Sequence, residues 1–359
     1  EVVKWVTDCG GKPFIVPAMG SHGGATASGQ AYILEKFGIT EKRMGCPIRS
    51  SMDVVQIKAP EIPASVFMDK LAHQSAGVIL INRIKPHTEF HGTYESGLVK
   101  MLSIGLGKHA QALAIHGYGA YGLRELMPQI AQRLVDTKKI LFGVGIVENA
   151  YDKTHTIRAM ASDRILQEEK KLLELAYTQM PSLPLDDAHI LIVEEMGKNI
   201  SGTGMDPNII GQRCRTVEDT RTRDPEIDML YCRDLAKGTK GNATGMGFAD
   251  IIPRSFFRKI DFKVTYENCR TASAITAGKM PMVARDDQEA WEWALRGAAI
   301  TDMQQARVAR IRNTLDLAEI LVSDALLKDV LKRPNTKLLE KNIPLFGKSR
   351  AMLPFKGSH

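Results

Sequence analysis

The sequence has few cysteines and no pair of them at a spacing typical of metal ligation. The five cysteines are odd in number and far apart, at Cys9, Cys46, Cys214, Cys232 and Cys269. Thiolate zinc sites bring cysteines in close pairs, and small secreted domains use an even set for disulfides. The sequence therefore argues against both kinds of site and favours a reducing, cytoplasmic environment.

Long apolar runs and runs of like charge are also missing. The longest apolar stretches, such as residues 140–147, fall far short of the roughly 18 residues of a membrane-spanning helix. Lys and Arg (48) exceed Asp and Glu (41), but they are scattered along the chain. We therefore predict neither a membrane protein nor a nucleic-acid-binding one. The net charge of +7 is either a solubility surface or a basic cleft for carboxylate or phosphate ligands.

The two ends of the sequence carry separate signals. Residues 2–6 already have the pattern of an amphipathic helix, and the first residue is Glu1, so we expect residues upstream of this numbering. Residues 357–359 resemble the remnant of an affinity tag and are left out of the fold prediction.

Short apolar runs alternate with longer helical patterns along the chain. The pattern predicts strands at residues 14–19, 78–82, 140–147 and 189–193, and helices near residues 25–37, 163–177, 288–296 and 315–330. Such alternation is typical of mostly parallel sheets flanked by helices. We therefore predict an α/β fold.

The length predicts two lobes, because about 150 residues form an average domain. Pro181 and Pro184 follow the helix at residues 163–177 and set the boundary. We predict an N-terminal catalytic and cofactor-binding lobe (residues 1–180) and a C-terminal α/β lobe (185–335), each with a mostly parallel sheet. An active-site cleft is expected between them, and the tail at residues 336–356 is expected to pack back on the N-terminal lobe.

A glycine-rich loop, GSHGGAT, joins the first predicted strand to the first long helix. It contains Gly20, Ser21, His22, Gly23 and Gly24. The first amides of a helix have no partners within it and favour an anion. The spacing is not that of a Walker A loop. The loop is either an anion-binding site or a tight turn that merely exposes His22.

The densest group of chemically active side chains follows the strand at residues 78–82. Loops beyond the carboxyl ends of parallel strands commonly bind ligands. Imidazole transfers protons near neutral pH and binds metals, and lysine can act as a nucleophile. The group comprises Arg83, Lys85, His87, His91, Glu95, Lys100, Lys108, His109 and His116.

These residue types leave several reactions open. Proton transfer by the histidines is one possibility. A zinc-dependent hydrolase is another, since three imidazoles such as those of His87, His91 and His116 can hold Zn²⁺. A third is a non-catalytic phosphate- or nucleotide-binding module in which GSHGGAT is the whole site.

Three motifs, taken in order, narrow the choice because together they resemble a known family. GSHGGAT, KPHTEFHG, and SGLVK followed by His116 resemble the lactate racemases that use a nickel-pincer nucleotide, together with their 2-hydroxyacid racemase relatives. The resemblance implies catalytic bases at His22 and His87. It implies that Lys100 tethers a pyridinium thioamide/thiocarboxylate mononucleotide, and that His116 and the group on Lys100 together hold its nickel. Further cofactor-binding residues implied are Gly20, Ser21, Gly23, Gly24, Lys198 and Asn208.

By the same resemblance the protein is an isomerase, a racemase or epimerase of 2-hydroxy acids. Hydride leaves the substrate carbon while one histidine takes the hydroxyl proton, and its return to the opposite face inverts the centre. His22 and His87 would serve opposite enantiomers. The partners implied are a small 2-hydroxy acid and cofactor-maturation proteins.

Two features depart from the family's pattern. The loop between His87 and Lys100 is slightly longer, so His91 competes with His87 as the second base. In the C-terminal lobe the pattern is altered around Lys198, where Asn199, Asp206 and Arg213 are further candidates. The sequence does not identify the 2-hydroxy acid.

Overall fold

The computed structural model describes residues 1–212, 225–272, 274–348 and 351–355. The chain divides into two units. The first contains residues 1–87 and 91–180, and the second contains residues 88–90 and the described residues from 181 onward. Within these residues no helix combines the length and apolarity needed to cross a bilayer. Cys214 and Arg213 lie outside the described residues.

The first unit mixes short strands with helices. Its strands are β1 (Val54–Ile57), β2 (Val66–Asp69), β3 (Val78–Arg83), β4 (Ile140–Glu148) and β5 (Thr154–Ala161). Its helices are α1 (Val2–Asp8), α2 (Ala27–Lys36), α3 (Glu41–Met44), α4 (Lys70–Gln74), α5 (Leu98–Lys100), α6 (Lys108–His116), α7 (Gly119–Tyr121), α8 (Met127–Asp136) and α9 (Ile165–Gln179). Two π-helical turns, Met101–Gly105 and Gly122–Leu126, interrupt the helical segments.

A three-stranded sheet organises the first unit, in the order β3-β4-β5. Strands β3 and β4 are parallel, with Leu80 opposite Gly143, and β5 is antiparallel to β4. Strands β1 and β2 form a separate antiparallel pair. The strands predicted at residues 78–82 and 140–147 are confirmed. The connection from β3 to β4 contains all the histidines and lysines of the dense group described above.

The helices of this connection contribute to the core of the first unit. Leu98, Leu102, Ile115, Leu126 and Ile130 have no or almost no exposed surface. Leu98 and Leu102 are four residues apart, as are Leu126 and Ile130, so each pair lies on one face of its helix. The segment that contains Lys100 is therefore fixed by apolar packing.

The strand predicted at residues 14–19 is wrong. Only Ile15 makes strand-like bonds, in an isolated parallel bridge with Ile48. Ile15 donates to the carbonyl of Pro47 and accepts from the amide of Arg49. Pro13 and Pro17 flank Ile15 and have no amide hydrogen, so pairing cannot continue on either side.

The second unit is built on a six-stranded sheet in the order β11-β10-β6-β7-β8-β9. All neighbouring strands are parallel except β10 and β11. The predicted α/β class, with parallel strands flanked by helices, is confirmed. The strands are β6 (Asp187–Val193), β7 (Glu226–Cys232), β8 (Ile251–Pro253), β9 (Met282–Ala284), β10 (Val308–Ile311) and β11 (Leu321–Val322), and the helices are α10 (Arg254–Phe257), α11 (Phe262–Thr271), α12 (Asp287–Gly297) and α13 (Asp324–Leu331).

The helix predicted at residues 315–330 is wrong over its first half. The side chain of Asn313 accepts hydrogen bonds from the amides of Leu315 and Asp316, which closes a turn. The chain then pairs as β11 with β10, and the helix begins only at Asp324. The helical periodicity therefore extends upstream of the actual helix, over residues that form the Asn313 turn and β11.

The C-terminal tail packs within the second unit. Met352 donates its amide hydrogen to Asp287 Oδ2 at 2.8 Å, and Arg310 donates to the carbonyl of Leu353 at 2.6 Å. The return of the tail to the N-terminal lobe stays a prediction.

Candidate active site

The loop that contains His87 is closed at its base by a short antiparallel bridge. Lys85 donates its amide hydrogen to the carbonyl of Ser96 at 2.9 Å, and Ser96 returns a bond to Lys85 at 3.2 Å. Residues 86–95 lie between these anchors, just beyond the carboxyl end of β3. His87 and His91 thus lie beyond a strand end, as predicted from the sequence, where parallel sheets commonly bind ligands.

The buried carboxylate of Glu95 organises this loop. It accepts from the amide of His87 at 2.7 Å and from the amide of Gly92 at 3.2 Å. Tyr177 of α9 donates its hydroxyl hydrogen to the same carboxylate at 2.8 Å. A buried carboxylate needs such donors to offset its lost hydration. These bonds fix the backbone from which the His87 ring projects.

His91 belongs to the same network. Its Nδ1 lies 2.8 Å from the Tyr177 hydroxyl and 3.4 Å from Glu95. Its carbonyl accepts from Arg124 at 2.9 Å. A role for Tyr177 could not be predicted from the sequence, because it lies 86 residues from His91 and no local pattern links the two.

His87 faces Lys100. His87 Nε2 lies 2.5 Å from Lys100 Nζ, and both side chains are half-buried. Which of the two atoms holds the shared hydrogen depends on the protonation state and tautomer of the ring. Of the two histidines in KPHTEFH, His87 therefore contacts the predicted tether lysine, whereas His91 contacts Tyr177.

The helix that contains Lys100 is capped by a buried carboxylate from α9. Val99 donates its amide hydrogen to Glu169 Oε2 at 2.9 Å, while the buried Oε1 has no hydrogen-bond partner among the residues that the structure describes. A Cβ on Gly97 would lie 2.3 Å from Oε1, so only glycine leaves room for this cap. The chain then passes into the π-helical turn Met101–Gly105, a rare conformation that is frequent at functional sites.

Burial raises the pKa of the Glu169 carboxyl from its ordinary value of 4.5 to about 7, although hydrogen bonds from Val99 and Leu98 oppose the shift. Below pH 4.5 both folded and unfolded chains hold the proton. Between pH 4.5 and 7 the unfolded chain releases it first, so the free energy of unfolding falls as pH rises, by about 3 kcal/mol in all.

We expect Glu169→Gln to remove this contribution. The variant should gain stability relative to the unmodified protein as pH rises from 5 to 8. Urea unfolding of both proteins at several pH values measures the difference, in which the contributions of other titrating groups cancel. A difference that does not change with pH would contradict the assignment.

The His22 loop rests on the π-helical turn that follows Lys100. Gly20 donates its amide hydrogen to the carbonyl of Gly105 at 3.3 Å, and a Cβ on Gly105 would lie 2.7 Å from the carbonyl oxygen of Ala18. Gly23 has a φ of +69°, and a Cβ there would collide with the backbone of Gly29. The loop conformation therefore depends on its glycines.

The side chains of Ser21 and His22 are exposed on this loop. The predicted helix begins slightly later than expected, at Ala27, where the side chain of Thr26 accepts from the amide of Gly29 at 3.1 Å. A short 3-10 turn, Gly23–Ala25, separates His22 from this helix.

A buried polar network joins the His22 loop to α6. Lys108 is fully buried, and its Nζ contacts the carbonyl of Pro17, Gln30 Oε1 at 3.3 Å and Asp69 Oδ2 at 3.2 Å. Gln30 in turn donates to the carbonyl of Gly20 at 2.7 Å. Burial lowers the pKa of the Lys108 ammonium, and Asp69 opposes that shift.

We expect Lys108→Met to destabilise the protein by about 3–5 kcal/mol, because it leaves the buried Asp69 carboxylate without its cation. Asp69 also accepts from the amide of Ala72, so its matched replacement is asparagine, which keeps that acceptor. Adding Asp69→Asn to Lys108→Met should recover much of the loss. Urea unfolding measures both variants, and a double variant no more stable than Lys108→Met would contradict this account.

His116 is the last residue of α6 and is half-buried. Helix α6 packs against the π-helical turn that continues from Lys100. The predicted tether and the predicted nickel ligand thus lie on successive helical segments of one unit.

The structure does not assemble the three-histidine zinc site that was one alternative. Among the residues that the structure describes, no three His, Cys, Asp or Glu side chains are grouped so as to hold a metal. His87 Nε2 is directed to Lys100, and His91 Nδ1 to Tyr177. The donor arrangement therefore gives no support to the hydrolase hypothesis.

Lys198 and Asn208 lie in the second unit, in the glycine-containing turns after β6. Lys198 donates its amide hydrogen to Thr239 Oγ1 at 3.0 Å, and its ammonium contacts the carbonyl of Gly202. Asn208 donates to Asp206 Oδ1 through its amide and side chain, at 3.0 and 2.9 Å. Their roles toward a cofactor remain predictions from the resemblance.

The second unit also contains a cavity of about 400 Å³ beyond the carboxyl ends of β6, β7, β8 and β10. Charged side chains that line the cavity form ion pairs with one another. Arg233 bonds Glu194 at 2.5 Å and Asp287 at 2.8 Å. None of the predicted site residues that the structure describes lines it.

Comparison with solved structures finds a similar fold in the lactate racemase apoprotein from Thermoanaerobacterium thermosaccharolyticum. The two share 13% identity and a TM-score of 0.51 over 88% of this chain and 81% of that one. A Thermotoga maritima protein from a structural genomics consortium has 12% identity and a TM-score of 0.46, over 76% of this chain and 72% of its own. No protein-family model and no curated protein sequence matches the chain. The chain is therefore similar in fold to a lactate racemase.

Proposed function

We propose that this chain is an isomerase, a racemase or epimerase of 2-hydroxy acids that uses a nickel-pincer nucleotide tethered to Lys100. The observation that supports it most is the contact between His87 Nε2 and Lys100 Nζ at 2.5 Å, in a chain similar in fold to a lactate racemase. The proposed reaction requires a proton acceptor beside the tethered group, and His87 lies beside Lys100.

The residues fit such a group by their chemistry. Lys100 offers an amine for a covalent link, on a helix whose first turn is buried and capped. His116 offers an imidazole, and nitrogen and sulfur donors suit Ni(II) in planar geometry. When bound, the group would accept a hydride from the substrate carbon and return it.

The protein's own side chains would transfer the protons of the reaction. His87 would take the hydroxyl proton of one enantiomer, and His22 that of the other, each returning it in the reverse direction. Glu95 would hold His87 in place through its backbone amide. The glycines of the His22 loop would let backbone lie close to the tethered group.

The proposal has two further consequences. The protein would depend on maturation proteins that supply the nickel group, and these belong with it in the cytoplasm. Its substrates would be small 2-hydroxy acids, which reach the tethered group without a macromolecular partner.

A racemisation screen tests the proposal. Protein matured with the cofactor machinery is incubated with single enantiomers of lactate, malate, longer aliphatic, aromatic and sugar acids, each deuterated at C2. Chiral chromatography with mass detection should find one class converted to both configurations with the deuterium retained. Conversion with loss of deuterium to water would contradict hydride transfer, and no conversion of any acid by nickel-loaded protein would contradict the proposed activity.

A further inference from the structure

The contact between Lys100 and His87 has the geometry of an activated nucleophile. A nucleophile within hydrogen-bond reach of a base, with the base held by a third group, is the arrangement that covalent catalysis uses. Here Lys100 Nζ lies 2.5 Å from His87 Nε2. The third group is Glu95, which bonds the amide of His87 at 2.7 Å and the hydroxyl of Tyr177.

The backbone that bears Lys100 is fixed by burial and by a hydrogen bond. Leu98 and Val99 are fully buried, and Glu169 accepts the Val99 amide hydrogen. The side chain of Lys100 therefore extends from a fixed helix, and its Nζ contacts the imidazole of His87. Positioning of this kind raises the effective concentration of a base at a nucleophile.

We infer that Lys100 and His87 form a self-acylating site, in which the protein attaches an activated carboxyl or thiocarboxyl group to its own lysine. The inference rests on the proposed function, in which Lys100 bears a covalently linked group, and adds that no separate ligase is needed once the donor is activated. The donor is an acyl phosphate or a thioester.

The step balances without an oxidant or a reductant. The Nζ lone pair attacks the carbonyl or thiocarbonyl carbon, forming the C–N bond as the bond to phosphate or thiolate breaks. His87 Nε2 takes the proton that Nζ loses and delivers it to the leaving group. The product is an amide or a thioamide on Lys100.

Lys85 provides an internal control. It lies on the same loop two residues before His87, and its side chain is exposed. Its backbone forms the bridge to Ser96 at the base of the loop. Simple exposure would therefore favour labelling of Lys85, whereas an activated nucleophile would favour Lys100.

Protein without the nickel-pincer group is treated with acetyl phosphate and, separately, with S-phenyl thioacetate. Peptide mass spectrometry follows the acetylation of each lysine. Lys100 should react at least about 100-fold faster than Lys85, the lower range of what a positioned base contributes. His87→Gln should lower the Lys100 rate to that of Lys85. Glu95→Gln, which keeps the imidazole, should give an intermediate rate, and Lys100→Arg should leave the Lys85 rate unchanged.

Equal rates at Lys100 and Lys85, or an unchanged Lys100 rate in a folded His87→Gln variant, would overturn the inference. Circular dichroism establishes that the variants are folded. Rapid acylation in a protein that racemises nothing would leave the inference standing without the proposed function. An unreactive Lys100 in a protein that racemises after maturation would overturn the inference and leave the proposed function intact.

Discussion

Lys100→Ala in protein matured with the cofactor machinery is expected to reduce racemisation to the background rate and to remove the bound nickel. The physical reason is that under the proposed function the tether and the metal ligand would act together, so that loss of the amine would leave His116 alone to hold the metal. A single imidazole is a weak site for a divalent ion compared with a multidentate group. Metal analysis and a chiral assay of the purified variant measure both effects.

Lys85→Ala is the matched control for this substitution. Lys85 lies at the base of the loop that contains His87 and its side chain is exposed, so its removal should leave nickel content and activity near those of the unmodified protein. Full activity in Lys100→Ala would contradict the tether assignment. Equal losses in both variants would show that the loop is disturbed rather than the tether removed.

His87→Gln and His22→Gln are each expected to reduce kcat/KM by roughly 10²–10⁴-fold, the contribution of a positioned acid–base group. The two enantiomers have equal free energies, so kcat/KM must fall by the same factor in both directions. The individual kcat values can differ, because under the proposed function each histidine would be the base for only one enantiomer. Progress curves started from each pure enantiomer measure them.

His91 and His109 provide comparisons for these variants. His91 Nδ1 is engaged by Tyr177, so His91→Gln should cost less activity than His87→Gln. His109 is exposed on α6, and His109→Gln should leave the rates unchanged. A larger loss at His91 than at His87 would reverse the assignment of the second base.

The sequence was informative where local patterns match the final contacts. Strands β3 and β4 were predicted because buried parallel strands are continuous apolar runs. The same argument predicted that His87 and Lys100 lie beyond a strand end. It failed at residues 14–19, where two prolines interrupt pairing, and at residues 315–323, where the Asn313 side chain closes a turn.

The supporting side chains of the candidate site could not be predicted in this way. Tyr177 and Glu169 reach the His87 loop and the Lys100 helix from α9, which follows them by about 70 to 90 residues. Asp69 reaches Lys108 from the end of β2. A single sequence contains no signal for such pairings, because the fold alone brings these residues together.

The mass of the intact chain under denaturing conditions, taken from matured protein that racemises its substrate, tests the central assignment most directly. The account predicts the mass of the chain plus one nucleotide-derived group, with peptide sequencing locating that group on Lys100. An active preparation whose chain has its unmodified mass, or bears the group on another lysine, would contradict it.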